Sequence, residues 1–99
     1  MLIVCSMFCG FRVCIVEAAG GRSVPIECDV RRGEMIERAV QLTVDRFGGI
    51  DVLVNNASAI SLTDTLHTPA SKFDLMHQVN VRATFLWYAA VSDIIIIIK

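Results

Sequence analysis

Three places in this 99-residue chain carry side chains that could do chemistry. Asp29 follows the stretch Ser23–Cys28. Asn55-Asn56-Ala57-Ser58 follows the short apolar run Val52-Leu53-Val54. Asn80 interrupts a helix-like pattern between Val79 and Val81. A carboxylate such as Asp29 can accept from an exocyclic amine or a hydroxyl. A strand that ends in small and amide residues lets a flat ring or a ribose lie close to the backbone. Open α/β sheets bind ligands at the carboxyl ends of their strands, and both strand ends here fit that position. Each site also has a plainer reading. Asp commonly starts turns or caps helices, and Asn suits turns. A side-chain amide inside a helix either faces solvent or joins a buried network.

The elements that must hold these residues follow from hydrophobic spacing. From Arg32 to Phe47, Met35/Ile36, Ala39/Val40, Val44 and Phe47 recur every three to four residues. Glu34, Glu37, Arg38, Gln41 and Asp45 fill the other face, so an amphipathic helix is expected, closed by Gly48-Gly49. Ahead of it, Glu17–Gly21 reads as a helix end with a glycine cap, and Ser23–Cys28 as a short strand. Val52–Val54 is a continuous apolar run, as in a strand covered on both faces of a parallel sheet. Residues 57–71 read as a loop. A second long helix is expected from Pro69–Lys72, with Leu75/Met76, Val79, Ala83, Leu86 and Ala90 on its apolar face, fading near Ser92-Asp93. The alternation predicts an α/β chain with a parallel sheet and right-handed crossovers. Asp29 and Asn56 should then lie along one crevice at one sheet edge.

The ends are unusual. Met1–Val16 is largely apolar, with no basic residue ahead of Leu2 and with Arg12 breaking the run. It fits a buried strand, or sequence foreign to the domain, better than a signal peptide or a membrane span. Ile94–Ile98 has strong β-propensity and no period that says which face is buried. The expected organisation is an atypical segment 1–14, a domain over 15–93 and an isoleucine-rich tail 94–99. Cys5, Cys9, Cys14 and Cys28 match no zinc spacing and fit thiols in a reducing compartment, so no metal is expected. A formal net charge of −1 gives no electrostatic case for nucleic acid.

With these residues in place, the chain resembles the short-chain dehydrogenase/reductase family. Asp51–Ser58 is similar to its Asn-Asn-Ala-Gly motif, with Ser58 in place of the usual glycine. Asp29-Val30 is similar to its Asp-Val pair, and Val79-Asn80-Val81-Arg82 to its helix asparagine. The resemblance covers about Ile15 to Leu86. It implies a partial Rossmann-like parallel sheet flanked by helices and truncated at both ends. It also implies an NADP or NAD cofactor contacted by Asp29, Val30, Asn56, Ala57 and Ser58, with Asn80 catalytic through a proton-relay water. A small carbonyl or alcohol substrate, homo-oligomer contacts through the last helix and a peroxisomal or mitochondrial setting are further implications. Two family features have no match: nothing in Met1–Val16 fits the glycine-rich turn, and Tyr88 is followed four residues later by Ser92 rather than lysine. The implied chain is an interior piece of an oxidoreductase, inactive by itself, or a truncated isoform that pairs with full-length subunits.

Overall fold

The computed structural model describes residues 2–5 and 9–96, with side-chain surroundings for residues 14–94. Strand β1 (Leu2–Cys5) is followed by helix α1 (Cys9–Ala18), strand β2 (Ser23–Ile26) and helix α2 (Gly33–Phe47). A 3₁₀ turn (Thr65–His67) leads into helix α3 (Ala70–His77), a π turn (Gln78–Arg82) and helix α4 (Ala83–Ile96). β1 and β2 pair in parallel, with Leu2 opposite Ser23 and Cys5 opposite Ile26. A parallel pair needs a crossover, and α1 supplies it. Pro25 sits in β2 opposite Val4; with no N–H to donate, it suits a strand at a sheet edge.

Helix α2 forms as its spacing predicts. Ile36, Ala39, Val40 and Thr43 are buried, while Glu34, Glu37, Arg38, Gln41 and Asp45 stay exposed. Thr43 lies on the buried side because its hydroxyl donates to the Ala39 carbonyl at 2.7 Å, which satisfies the one polar atom it brings inside. The helix stops at Gly48, whose φ of 87° is left-handed and whose N–H closes back on the Val44 carbonyl. That conformation favours glycine. Val40, Ile50 and Val91 then form the centre of a core, with Leu53, Trp87, Ala90 and Ile94 packed around it. α4 thus lies on α2 and on the segment that follows it.

Two expectations are corrected. Residues 52–54 form no strand: among the described residues the sheet has only β1 and β2, and no neighbour offers these three a hydrogen-bond ladder. Leu53 turns onto the core, whereas Val52 and Val54 are 73% and 72% exposed. The run is therefore covered on one face, not two. The last helix does not fade at Ser92-Asp93 but continues to Ile96, because Val91 and Ile94 face the core and extend its apolar stripe. Ile97–Lys99 lie outside the described residues.

The loop before α3 is ordered by its own polar side chains. Asp64 accepts from the His67 N–H at 3.0 Å and from its Nδ1 at 2.7 Å, and caps the 3₁₀ turn. The Thr68 hydroxyl lies 2.7 Å from that of Thr63 and donates to the Asp64 carbonyl.

Candidate functional site

Beyond β2 the chain turns sharply, with the Asp29 carbonyl accepting from Arg32 N–H at 2.9 Å. The Asp29 carboxylate is gripped by Arg31 two residues on. Oδ1 accepts from the Arg31 backbone N–H at 3.0 Å and from Nε at 2.8 Å; Oδ2 accepts from Nη2 at 2.6 Å and from Nε at 3.1 Å. This forked, charge-assisted contact fixes both the side chain and the turn. The Arg31 guanidinium holds the Asp29 carboxyl below its ordinary 3.8, at about 2. Val30 is half-buried beside it.

Asn55, Asn56, Ala57 and Ser58 are all exposed. Among the described residues no hydrogen bond is made by the side chains of Asn55, Asn56 or Ser58. The run is anchored at its two ends instead: Leu53 packs into the core before it, and Asn80 holds Ala59 after it. The Asn80 Oδ1 accepts from the Ala59 N–H and its Nδ2 donates to the Ala59 carbonyl, both at 2.9 Å. The amide thus mimics a strand neighbour for one residue of the loop. Although Asn80 is exposed, its side chain is engaged.

Asn80 lies at the centre of the π turn, where the Ala83 N–H bonds the Gln78 carbonyl, five residues back. Such single π turns interrupt α-helices often at functional sites. Two residues after Asn80, Arg82 donates from Nη1 to the Arg31 carbonyl at 2.8 Å. One short segment is therefore tied to both other sites: to the Asn55–Ser58 loop through Asn80 and to the Asp29 turn through Arg82. Asp29 and Asn56 are not joined along one sheet edge, contrary to what the strand pattern predicts. In the structure the link is the π turn, since residues 52–54 are not in the sheet. Arg31 and Arg82 went unnoticed in the sequence. The Asp-x-Arg spacing was a usable signal for Arg31, whereas Arg82 meets its partner across 51 positions and gives none.

Among the described residues no group of three or more His, Cys, Asp or Glu side chains could hold a metal ion. Among them, too, no helix is long and apolar enough to cross a membrane.

Comparison with known proteins gives the same family from three directions. The sequence profile described as Enoyl-(Acyl carrier protein) reductase matches residues 11–96. Hydroxysteroid dehydrogenase-like protein 2 of Rattus norvegicus is 59% identical over 71 residues, which is 72% of this chain and 14% of that protein. The Bos taurus protein of the same name is also 59% identical over 71 residues, 17% of its length. The chain thus spans less than a fifth of these curated relatives. Among solved structures, a dehydrogenase from Xanthomonas campestris superposes with a TM-score of 0.80 at 49% identity, covering 84% of this chain and 31% of that one. A dehydrogenase/reductase from Sinorhizobium meliloti 1021 gives a TM-score of 0.84 at 35% identity, covering 92% and 38%. These structures share an α/β fold with the chain. With a family profile matched over most of its length and dehydrogenase structures superposing on it, the chain belongs to the short-chain dehydrogenase/reductase family of oxidoreductases.

Proposed function

We propose that these residues are part of an NAD(P)-dependent oxidoreductase of the hydroxysteroid dehydrogenase-like type, acting on a carbonyl or a secondary alcohol, and that they form the adenosine-side wall of its cofactor site. The observation that carries this reading is the pair of ties made by the π turn, Asn80 to Ala59 and Arg82 to the Asp29 turn. They bring the three family-like motifs into one connected unit.

The residues fit the adenosine half of a dinucleotide. A carboxylate has about four acceptor sites. Arg31 makes two contacts to each oxygen; the longest of them, Nε to Oδ2 at 3.1 Å, is the one an exocyclic amine would displace. Val30 offers an apolar flank, and Asn56, Ala57 and Ser58 an exposed, small-residue backbone against which a ring or ribose can lie. When bound, the nicotinamide group supplies or takes up the hydride. Asn80 serves the proton relay of the longer enzyme while its amide orders the loop. Residues 1–99 contain neither a glycine-rich phosphate turn nor a Tyr-x-x-x-Lys pair, so these residues alone offer no proton partner for hydride transfer. The parallel sheet begun by β1 and β2 is, in this reading, part of a larger Rossmann-like sheet. The setting is peroxisomal or mitochondrial.

The test is a titration of the chain with 5′-AMP, followed by amide chemical shifts. Shifts confined to Asp29, Val30 and Asn56–Ala59 at millimolar nucleotide are expected. A titration that moves none of them refutes the reading.

One observation favours a second reading, a non-catalytic subunit that pairs with another copy through its last helix. Val81 at the end of the π turn and Phe85 and Tyr88 in α4 follow one another at four- and three-residue spacing and are 55%, 68% and 67% exposed. Three large apolar side chains at helical spacing are a surface for a partner helix. Co-purification of two differently tagged copies of the chain tests this reading.

A further inference from the structure

Resting on the adenosine-wall reading, we propose that Arg82 is a positioning residue for nucleotide binding, its guanidinium fixing the Asp29–Arg32 turn at a set distance from the Asn80-held loop. Asp29–Arg32 has one backbone hydrogen bond of its own, Arg32 N–H to the Asp29 carbonyl. The Asp29–Arg31 contact makes the turn locally rigid, and the Arg32 carbonyl, accepting from the Met35 and Ile36 N–H groups, joins it to the start of α2; neither of these ties reaches the π turn. The Arg31 carbonyl receives Nη1 of Arg82 at 2.8 Å, from 51 residues away.

The other end of this tether is well anchored. Ala83, the next residue, is 2% exposed, and Asn80 is locked to Ala59 by two hydrogen bonds. A guanidinium reaching from such a base to a turn carbonyl transmits the position of the helix to the turn. Two carbonyls on different segments, those of Arg31 and Ala59, thus receive donors from one π turn. Charge adds a second consideration. Asp29 neutralises Arg31, and Glu34 neutralises Arg32 with an Nη2 to Oε1 distance of 2.7 Å, so Arg82 is left with a carbonyl rather than a carboxylate as its partner. It can hold the turn without competing with Arg31 for the Asp29 acceptor that a nucleotide amine would use.

The experiment compares the wild-type chain with Arg82→Met, which keeps the aliphatic stem without donors, and Arg82→Lys, which keeps a charge and a donor. Two quantities are read by NMR: hydrogen exchange at the Arg32 amide, and the dissociation constant for 5′-AMP. Faster exchange in Arg82→Met, with 5′-AMP affinity lowered about tenfold, and substantial recovery of both in Arg82→Lys, is the expected result, since a net hydrogen bond to a charged group is worth about a factor of ten. Faster exchange with unchanged 5′-AMP affinity would overturn the proposal and leave Arg82 a brace only. Unchanged exchange would overturn it too. Wild-type chain that does not bind 5′-AMP at all would instead sink the adenosine-wall reading on which the proposal rests, and the proposal with it. If Arg82→Met lost its amide dispersion, Arg82→Lys would decide: affinity within twofold of wild type supports the role, and a tenfold loss with normal dispersion counts against a donor-based one.

Discussion

Asn80 grips Ala59 at both of its backbone polar groups: one amide atom accepts from the Ala59 N–H while the other donates to the Ala59 carbonyl. A single side chain thereby does for the loop what a neighbouring strand would do, and it does so across 21 positions of sequence. Replacing Asn80 by Ala should lower stability by about 1–2 kcal/mol, two hydrogen bonds at an exposed position each counting at the lower end of their usual range. Asn80→Asp should cost at least as much, because it keeps the acceptor but sets a carboxylate oxygen against the Ala59 carbonyl. Urea midpoints check the order. Equal stability of all three proteins would remove the clamp from the account.

The Asp29 carboxyl gives a pH dependence whose direction is fixed by its partner. Its folded pKa lies at about 2, below the ordinary 3.8, chiefly because the Arg31 side chain donates to the ionised form. A depressed pKa means that the ionised form favours the folded turn. The contribution is fully present above about pH 4 and is lost as the pH falls toward 2. Carbon-detected titration of Asp29 should therefore show a midpoint well under 3.8 in the wild type and close to it in Arg31→Ala. An unshifted wild-type midpoint would disprove the pairing in solution.

Val91 is fully buried at the centre of the core between α2 and α4. Truncation to Ala removes two methyl groups and leaves a cavity, at a cost of about 2 kcal/mol. Leu62 is 91% exposed, so Leu62→Ala should change stability by less than about 0.5 kcal/mol. Thermal melts of the two variants should differ clearly; similar losses would mean that the packing of α4 on α2 contributes little.

The exposed face of the last helix offers a test of association. Phe85→Glu places a charge beside Val81 and Tyr88, and should abolish pairing between copies of the chain while leaving the Val91 side of the helix undisturbed. Sedimentation and circular dichroism together distinguish loss of pairing from loss of fold. Persistent pairing of Phe85→Glu would move the contact elsewhere.

Much of this arrangement was legible in the residues, and what was not shares a cause. Helix α2 was readable because its whole stripe lies within one element, from Ile36 to Val40, and its end because Gly48 alone suits a left-handed stop. The three candidate sites were readable as types: a carboxylate after a strand, a double amide and a helix amide. Their connections were not. Val52–Val54 has the composition of a covered strand, yet strand formation depends on neighbours that no local pattern reveals. Thr43 is polar by type and buried by virtue of a bond to Ala39. Arg82 resembles any solvated helix cation until its distant carbonyl is known.

The π turn has a geometric consequence of its own. An α-helix advances about 100° per residue, and a wider turn absorbs one residue more than the regular winding would. The stretches on its two sides are therefore out of phase with each other, like two gears on one shaft set at different teeth. Residues after the turn can mesh with α2 through Trp87 and Val91 while Asn80, within it, aims at the loop. Deleting one residue from Gln78–Arg82 would rewind the shaft to a single setting, in which only one of these two engagements could survive.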